Sequence, residues 1–71
     1  MKEIISSLDI GSSTIKLVVG EVYNNEVNVL SVSEVKSKGV KKGIIVNPEE
    51  TLVSLKEAFN RTEEMLNINF I

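Results

Sequence analysis

Two short turn signals divide the first half of the chain into three strand-forming runs. A glycine and two serines at 11–13 and the pair Asn24–Asn25 interrupt sequence that is otherwise rich in isoleucine, valine and leucine. Both asparagines tolerate the positive φ that two-residue hairpin turns require. The pattern predicts an antiparallel meander of three strands at about 3–10, 14–23 and 27–36.

Three details of these runs carry structural expectations. The first run has apolar residues of both parities, which is typical of a strand that is covered on both faces. Gly20 interrupts the second run and indicates a bulge or a close backbone approach. In the third run, the alternation of apolar and polar residues slips once near Leu30. The sequence therefore leaves the register of the third strand open at that point.

A helix start follows the strands. Asn47 suits the N-cap, Pro48 suits the first helical position, and Glu50 completes a capping-box pattern. Apolar residues then recur at helical spacing, which predicts an amphipathic helix over about 48–67 and an α/β fold class. The predicted apolar face consists of Leu52, Leu55, Phe59, Thr62 and Leu66, with Ala58 and Met65 beside it.

The composition excludes several classes of function. With 71 residues the chain offers one small domain, and the absence of cysteine and histidine excludes common zinc sites and a histidine-activated nucleophile. A net charge of -2 argues against a general nucleic-acid binder. No apolar stretch reaches the ~18 residues of a membrane span, and the N-terminus is not a secretory signal. We therefore expect a cytoplasmic location.

The last residues, 68–71, resemble the opening of a fourth strand. One helix and an unfinished strand cannot cover both faces of a sheet. We therefore expect the chain to be part of a larger fold, or to complete itself against a partner. A free sheet edge would also permit self-association.

The turn between the first two strands has two interpretations. Asp9, Gly11, Ser12, Ser13 and Lys16 are all compatible with a tight hairpin that carries one exposed lysine. They are also compatible with a phosphate site, in which small residues present N–H and hydroxyl donors, the lysine adds positive charge, and the carboxylate holds hydrated Mg²⁺. The segment matches neither a Walker A loop nor G-x-G-x-x-G. The residues alone leave both interpretations open.

The segment D-I-G-S-S-T-I-K, between two strands, resembles the first phosphate-binding segment of the actin-like ATPase superfamily, whose fold is ribonuclease-H-like. The resemblance implies ATP and Mg²⁺ as cofactors. It implies that Asp9 lies near the metal through water, that Gly11, Ser12 and Ser13 meet the phosphates, and that Lys16 contacts them. It identifies no catalytic residue, so whether the chain contributes to an enzyme stays open.

A second segment is similar to the FtsA-like bacterial cell-division proteins within that superfamily. Their pattern S-x-G-[VI]-x-x-G-x-[IV]-x-[ND] is matched by Ser37, Gly39, Val40, Gly43, Ile45 and Asn47, and their following helix by Ala58, Thr62 and Glu63. The resemblance implies that residues 1–71 are the N-terminal part of the first ATPase subdomain. The whole protein would then be an ATP-binding scaffold of the division ring. It would lie at the cytoplasmic face of the inner membrane, with the tubulin-like FtsZ as partner.

Two alternatives to an FtsA-like role remain. One is a segment of another actin-like ATPase or kinase, such as a sugar kinase or an acyl-CoA dehydratase activator, and the other is an interaction module that binds no nucleotide. A basic cluster also allows two interpretations: a contact for an acidic partner or anionic lipid headgroups, or a solvated loop. Its members are Lys36, Lys38, Lys41 and Lys42.

Overall fold

Three antiparallel strands form one sheet, in the order β1–β2–β3, in the computed structural model, which describes residues 2–68. The strands are β1 (Glu3–Ile10), β2 (Thr14–Tyr23) and β3 (Glu26–Lys36). A small hairpin of β4 (Val40–Lys41) and β5 (Ile44–Ile45) follows, and the helix α1 covers Pro48–Leu66. The predicted α/β fold, a three-strand antiparallel sheet with one helix, is confirmed.

A two-residue turn joins β2 to β3. Asn24 and Asn25 have φ angles of 51° and 64°, and the strand pairing resumes directly at Tyr23 and Glu26. Two successive left-handed residues give the turn a twist that matches the twist of the flanking strands. The sequence signal for this hairpin is confirmed.

The irregularities predicted at Gly20 and near Leu30 belong to one bulge. Val19 pairs with Ser31 and Gly20 pairs with Val29, so Leu30 has no partner on β2. An extra residue in one strand reverses the faces on which the following side chains lie. Odd-numbered side chains of β3 therefore face the helix after the bulge, and even-numbered ones lie on the helix side before it.

The core lies between α1 and the strands β2 and β3. Side chains of alternate residues on β2 point toward the helix, and the intervening ones point to the opposite face, which we call the open face. The buried cluster consists of Ile15, Leu17, Val35 and Ala58, with Ile10, Leu55 and Phe59 packed against it.

The predicted apolar face of α1 is wrong at its margins. Leu52 and Met65 are 51% and 55% exposed. Small side chains lie against the sheet instead, which lets the helix axis approach the strands closely, and the apolar periodicity could not signal this because most of these residues carry hydroxyl groups. The buried residues of the helix are Thr51, Ser54, Ala58 and Thr62.

The expectation that β1 is covered on both faces is also wrong for the described residues. The strand is an edge of the sheet, and α1 packs mainly on β2 and β3, with Ile10 at the end of β1 reaching the core. Ile4, Ile5 and Leu8 are consequently exposed. The predicted fourth strand at 68–71 falls mostly outside the described residues, and Ile68 itself is not in a strand.

The helix begins as the sequence predicts. The Asn47 side chain accepts a hydrogen bond from the Glu50 N–H at 3.2 Å, and Pro48 is the first helical residue. The reciprocal bond of a capping box is replaced, because the Asn47 N–H donates to the carbonyl of Gly39 at 3.0 Å. The N-cap is therefore attached to the preceding hairpin. At the other end, Asn67 adopts the left-handed conformation that terminates helices.

Candidate functional site

The turn between β1 and β2 is tight. The Gly11 N–H donates to the carbonyl of Thr14 at 2.9 Å, and a Cβ at position 11 would lie 3.1 Å from that oxygen. A glycine therefore permits the close approach of the two backbone segments. Because the Gly11 N–H is already bonded, the anion-binding donors predicted for this turn reduce to those of Ser12 and Ser13.

Ser12 lies at an exposed position in the turn and contacts a distant part of the chain. Its hydroxyl oxygen accepts a hydrogen bond from the Gly43 N–H at 3.0 Å. A serine hydroxyl has one proton and two lone pairs, so Ser12 keeps its proton for a further acceptor. The turn thus presents an oriented O–H donor to solvent.

The backbone of Ser13 is bonded to the sheet, whereas the residue is exposed to solvent. Its carbonyl accepts from the Ser37 N–H at 2.9 Å, which extends the pairing of β2 and β3 by one residue beyond Thr14 and Lys36. The residue itself is exposed. The sheet therefore fixes the end of the turn and leaves the Ser13 side chain at the surface.

A row of charged residues crosses the open face beside this turn. Asp9 on β1 lies opposite Lys16 on β2, and Lys16 lies opposite Glu34 on β3. The Lys16 Nζ and Glu34 Oε2 atoms are 4.0 Å apart, with both side chains about half exposed. Such a pair is weakly held, and the lysine can leave it at little cost.

The two carboxylates of this row are separated by the width of two strand spacings, roughly 9–10 Å between backbones. In residues 2–68, no group of three acidic, histidine or cysteine residues is arranged to hold a metal ion directly. A Mg²⁺ ion at Asp9 would therefore keep most of its waters and be bound through one carboxylate, a mode that suits this ion.

The four lysines of the basic cluster are all exposed, and the β4–β5 hairpin organises two of them. Lys41 lies on β4, while Lys42 and Gly43 form the hairpin turn with φ angles of 49° and 75°. Lys38 is held by its backbone, because its N–H donates to the Ser54 hydroxyl and its carbonyl accepts from the Thr51 hydroxyl.

Sequence reasoning missed two residues of this region. Glu34 escaped notice because its position beside Lys16 depends on the bulge, which the alternation left unresolved. Counting the paired residues outward from the Asn24–Asn25 turn, with one extra residue in β3, would have placed Glu34 opposite Lys16. Gly43 was matched to the FtsA-like pattern, but its contact with Ser12 had no local signal, since the two residues are 31 positions apart.

Comparisons with known proteins identify similar sequences. No protein-family model matches the chain. It is 44% identical over 64 residues to the cell division protein FtsA of Bacillus subtilis, covering 90% of this chain and 14% of that protein. It is 45% identical to the FtsA of Streptococcus pneumoniae over the same shares, and 36% identical to that of Enterococcus hirae over 86% of the chain and 14% of the relative.

The chain thus spans about 14% of the length of the curated relatives it matches. The predicted resemblance to FtsA-like proteins is confirmed for this segment. Within residues 2–68, α1 lacks the continuous apolar length that a membrane-spanning helix needs.

Proposed function

Because this chain is FtsA-like, we propose that residues 9–16 bind the phosphates of ATP together with Mg²⁺ in a bacterial cell-division protein. One observation carries the proposal: Asp9 and Lys16 face each other beside the turn that holds Ser12, on the face that the helix leaves open. A carboxylate, a cation and an O–H donor within one short segment are the groups that a metal-bound triphosphate needs.

Each residue of this phosphate site has a distinct role. Lys16 leaves its weak pair with Glu34 and offsets the charge of the phosphates. Asp9 holds Mg²⁺ through water, and Gly11 allows the tight turn. Ser12 and Ser13 donate hydrogen bonds to phosphate oxygens. We assign no general base among these residues, so the proposal covers nucleotide binding alone.

The wider role follows from the resemblance and belongs to a protein of the relatives' length. We propose an ATP-binding scaffold of the division ring, located at the cytoplasmic face of the inner membrane and bound to the tubulin-like FtsZ. In that setting, residues 1–71 would form the N-terminal part of the first actin-like ATPase subdomain. The chain by itself should bind ATP weakly, because its turn reaches only the phosphates.

A chimaera tests the proposal. The matching segment of the Bacillus subtilis FtsA is replaced by this chain, and Mg-ATP affinity is measured by titration calorimetry for the chimaera and its variants. Asp9→Asn removes the carboxylate without changing its shape, and should lower the affinity about tenfold, or 1.4 kcal/mol. The loss should shrink when Mg²⁺ is removed with a chelator.

Glu34→Gln is the matched control. It removes a carboxylate from the same charged row on the other side of Lys16, and should leave the Mg-ATP affinity unchanged or slightly improved, because it frees the lysine. Equal losses for Asp9→Asn and Glu34→Gln would mean that only general surface charge matters. No loss for either variant would favour a nucleotide-free interaction module.

A further inference from the structure

The β4–β5 hairpin lies against the candidate phosphate turn. At its tip, the Gly43 N–H donates to the Ser12 hydroxyl at 3.0 Å. At its base, the Gly39 carbonyl accepts from the N–H groups of Val46 and Asn47 at 2.8 and 3.0 Å. The hairpin is therefore held at both ends, and its tip is fixed beside Ser12.

The bond from Gly43 determines what Ser12 can do. A hydroxyl that accepts a hydrogen bond on its oxygen is oriented, and its proton points elsewhere. Hydrogen bonds in a chain also polarise one another, so a phosphate that accepts a hydrogen bond from the Ser12 hydroxyl strengthens the bond from the Gly43 N–H. The two contacts should form and weaken together.

Lys42 is at an unusual position for its residue type. Its φ of 49° places it in the left-handed region, where two-residue hairpin turns favour glycine, asparagine or aspartate. A lysine there costs conformational energy that a glycine would avoid, and such residues cluster at functional sites. Adjacent Cα atoms are about 3.8 Å apart, so Lys42 is anchored next to the residue that contacts Ser12.

We propose that this hairpin is the second wall of the phosphate site, in which the Gly43 N–H positions Ser12 as a donor and Lys42 supplies a second cation to the same phosphates. The inference rests on the proposed function and extends it to residues outside the segment 9–16. It also distinguishes Lys42 from Lys36 and Lys38. Their neighbour Ser37 contacts the turn through the Ser13 carbonyl, whereas the neighbour of Lys42 contacts the hydroxyl that is proposed to donate to phosphate.

Amide NMR on the ¹⁵N-labelled 71-residue chain tests the positioning role. Mg-ATP is titrated to tens of millimolar, with sodium chloride at matched ionic strength as the salt control. The amide signals of Ser12, Ser13 and Gly43 should shift with one common dissociation constant, while that of Gly20 should not. In Ser12→Ala the Gly43 shift should disappear, because the hydroxyl that links it to the ligand is gone.

The outcomes separate this inference from the proposed function. Shifts at Ser12 and Ser13 without a shift at Gly43 would overturn the second wall and leave the phosphate turn standing. Silence at all three residues would count against both. A Gly43 shift that persists in Ser12→Ala would also overturn the positioning role, because the ligand would then reach the hairpin independently.

A second set of variants tests the cation. Lys42→Gln keeps a flexible polar side chain, one atom shorter, and the left-handed backbone requirement, but it removes the charge. The apparent dissociation constant for Mg-ATP should rise severalfold, and Lys42→Arg should restore it. Lys56→Gln removes an equal charge from an exposed position of α1 and is the control. If Lys42→Gln and Lys56→Gln weaken binding equally, Lys42 is an ordinary surface lysine.

Discussion

Ser33 on β3 and Thr62 on α1 join the sheet to the helix through a hydrogen bond between their hydroxyl groups inside the core. The Thr62 hydroxyl also donates to the carbonyl of Ala58 at 3.0 Å. Because a hydroxyl has one proton, Ser33 must be the donor between the two side chains. The chain of three groups leaves both buried hydroxyls satisfied.

Thr62→Val should therefore destabilise the protein by about 1–3 kcal/mol, because it leaves the Ser33 hydroxyl buried without an acceptor. The double variant Ser33→Ala with Thr62→Val should recover most of that loss, since no unpaired polar group remains. Urea denaturation followed by circular dichroism measures both free energies of unfolding. If the loss of the double variant equals the sum of the losses of Ser33→Ala and Thr62→Val measured separately, the two side chains are not directly bonded.

Ser31→Ala is the matched control for this pair. Ser31 lies two residues before Ser33 on β3 and is also buried, but its hydroxyl has no hydrogen-bond partner within the part of the chain that the structure describes. Removing an unpaired hydroxyl should leave the free energy of unfolding unchanged or raise it. A loss equal to that of Thr62→Val would show that burial rather than pairing decides the effect.

Gly39 and Gly43 offer a comparison at the same backbone φ angle. A Cβ at position 39 would overlap the Asn47 carbonyl oxygen, whereas one at position 43 would meet no atom of the described residues within 4 Å. Gly43→Ala should cost about 1–2 kcal/mol from its backbone conformation alone. Gly39→Ala should cost about 1–3 kcal/mol more, from the clash. Equal losses in thermal melts would contradict the contact between Gly39 and the helix start.

The face of α1 that contacts the sheet can be tested directly. Ala58→Leu inserts three carbons at a fully buried position and should destabilise by about 1–3 kcal/mol. Leu52→Gln changes an exposed position and should stay within about 0.5 kcal/mol. The opposite ranking in denaturant titrations would restore the apolar face that the sequence pattern predicted.

Lys16→Ala should weaken Mg-ATP binding by the FtsA chimaera with little change in melting temperature. The lysine makes one weak exposed ion pair, so the fold loses almost nothing with it. Calorimetric titration gives the affinity, and thermal scanning without nucleotide gives the stability. If Lys16→Ala binds Mg-ATP as tightly as the unmodified chimaera, the lysine does not contact the phosphates.

Local signals predicted most of the fold. The Asn24–Asn25 turn, the bulge near Gly20 and the cap at Asn47 all depend on residues that are close in sequence, and the structure confirms each one. The helix face was harder, because hydrophobicity is a poor guide where threonine and serine pack against a sheet. Ser54 and Thr62 are buried through hydrogen bonds and size, which periodicity does not measure.

The candidate site divides in the same way. Asp9 and Lys16 could be brought together from the sequence, because a short hairpin fixes which residues lie opposite each other. The contact between Ser12 and Gly43 could not, since it requires the path of the chain through β3 and back. Nucleotide contacts with these residues stay a prediction.

The bulge at Leu30 divides β3 into two parts whose valines lie on opposite faces of the sheet. Ser33 and Val35 line the interior beneath the helix, whereas Val27 and Val29 are turned outward, beside Val22 and Gly20. Had the strand continued without the extra residue, those two valines would have lain on the helix side. Deleting one residue of β3 at the bulge would move both valine side chains to the helix side. The apolar and the solvent-exposed faces of that end of the sheet would then be exchanged.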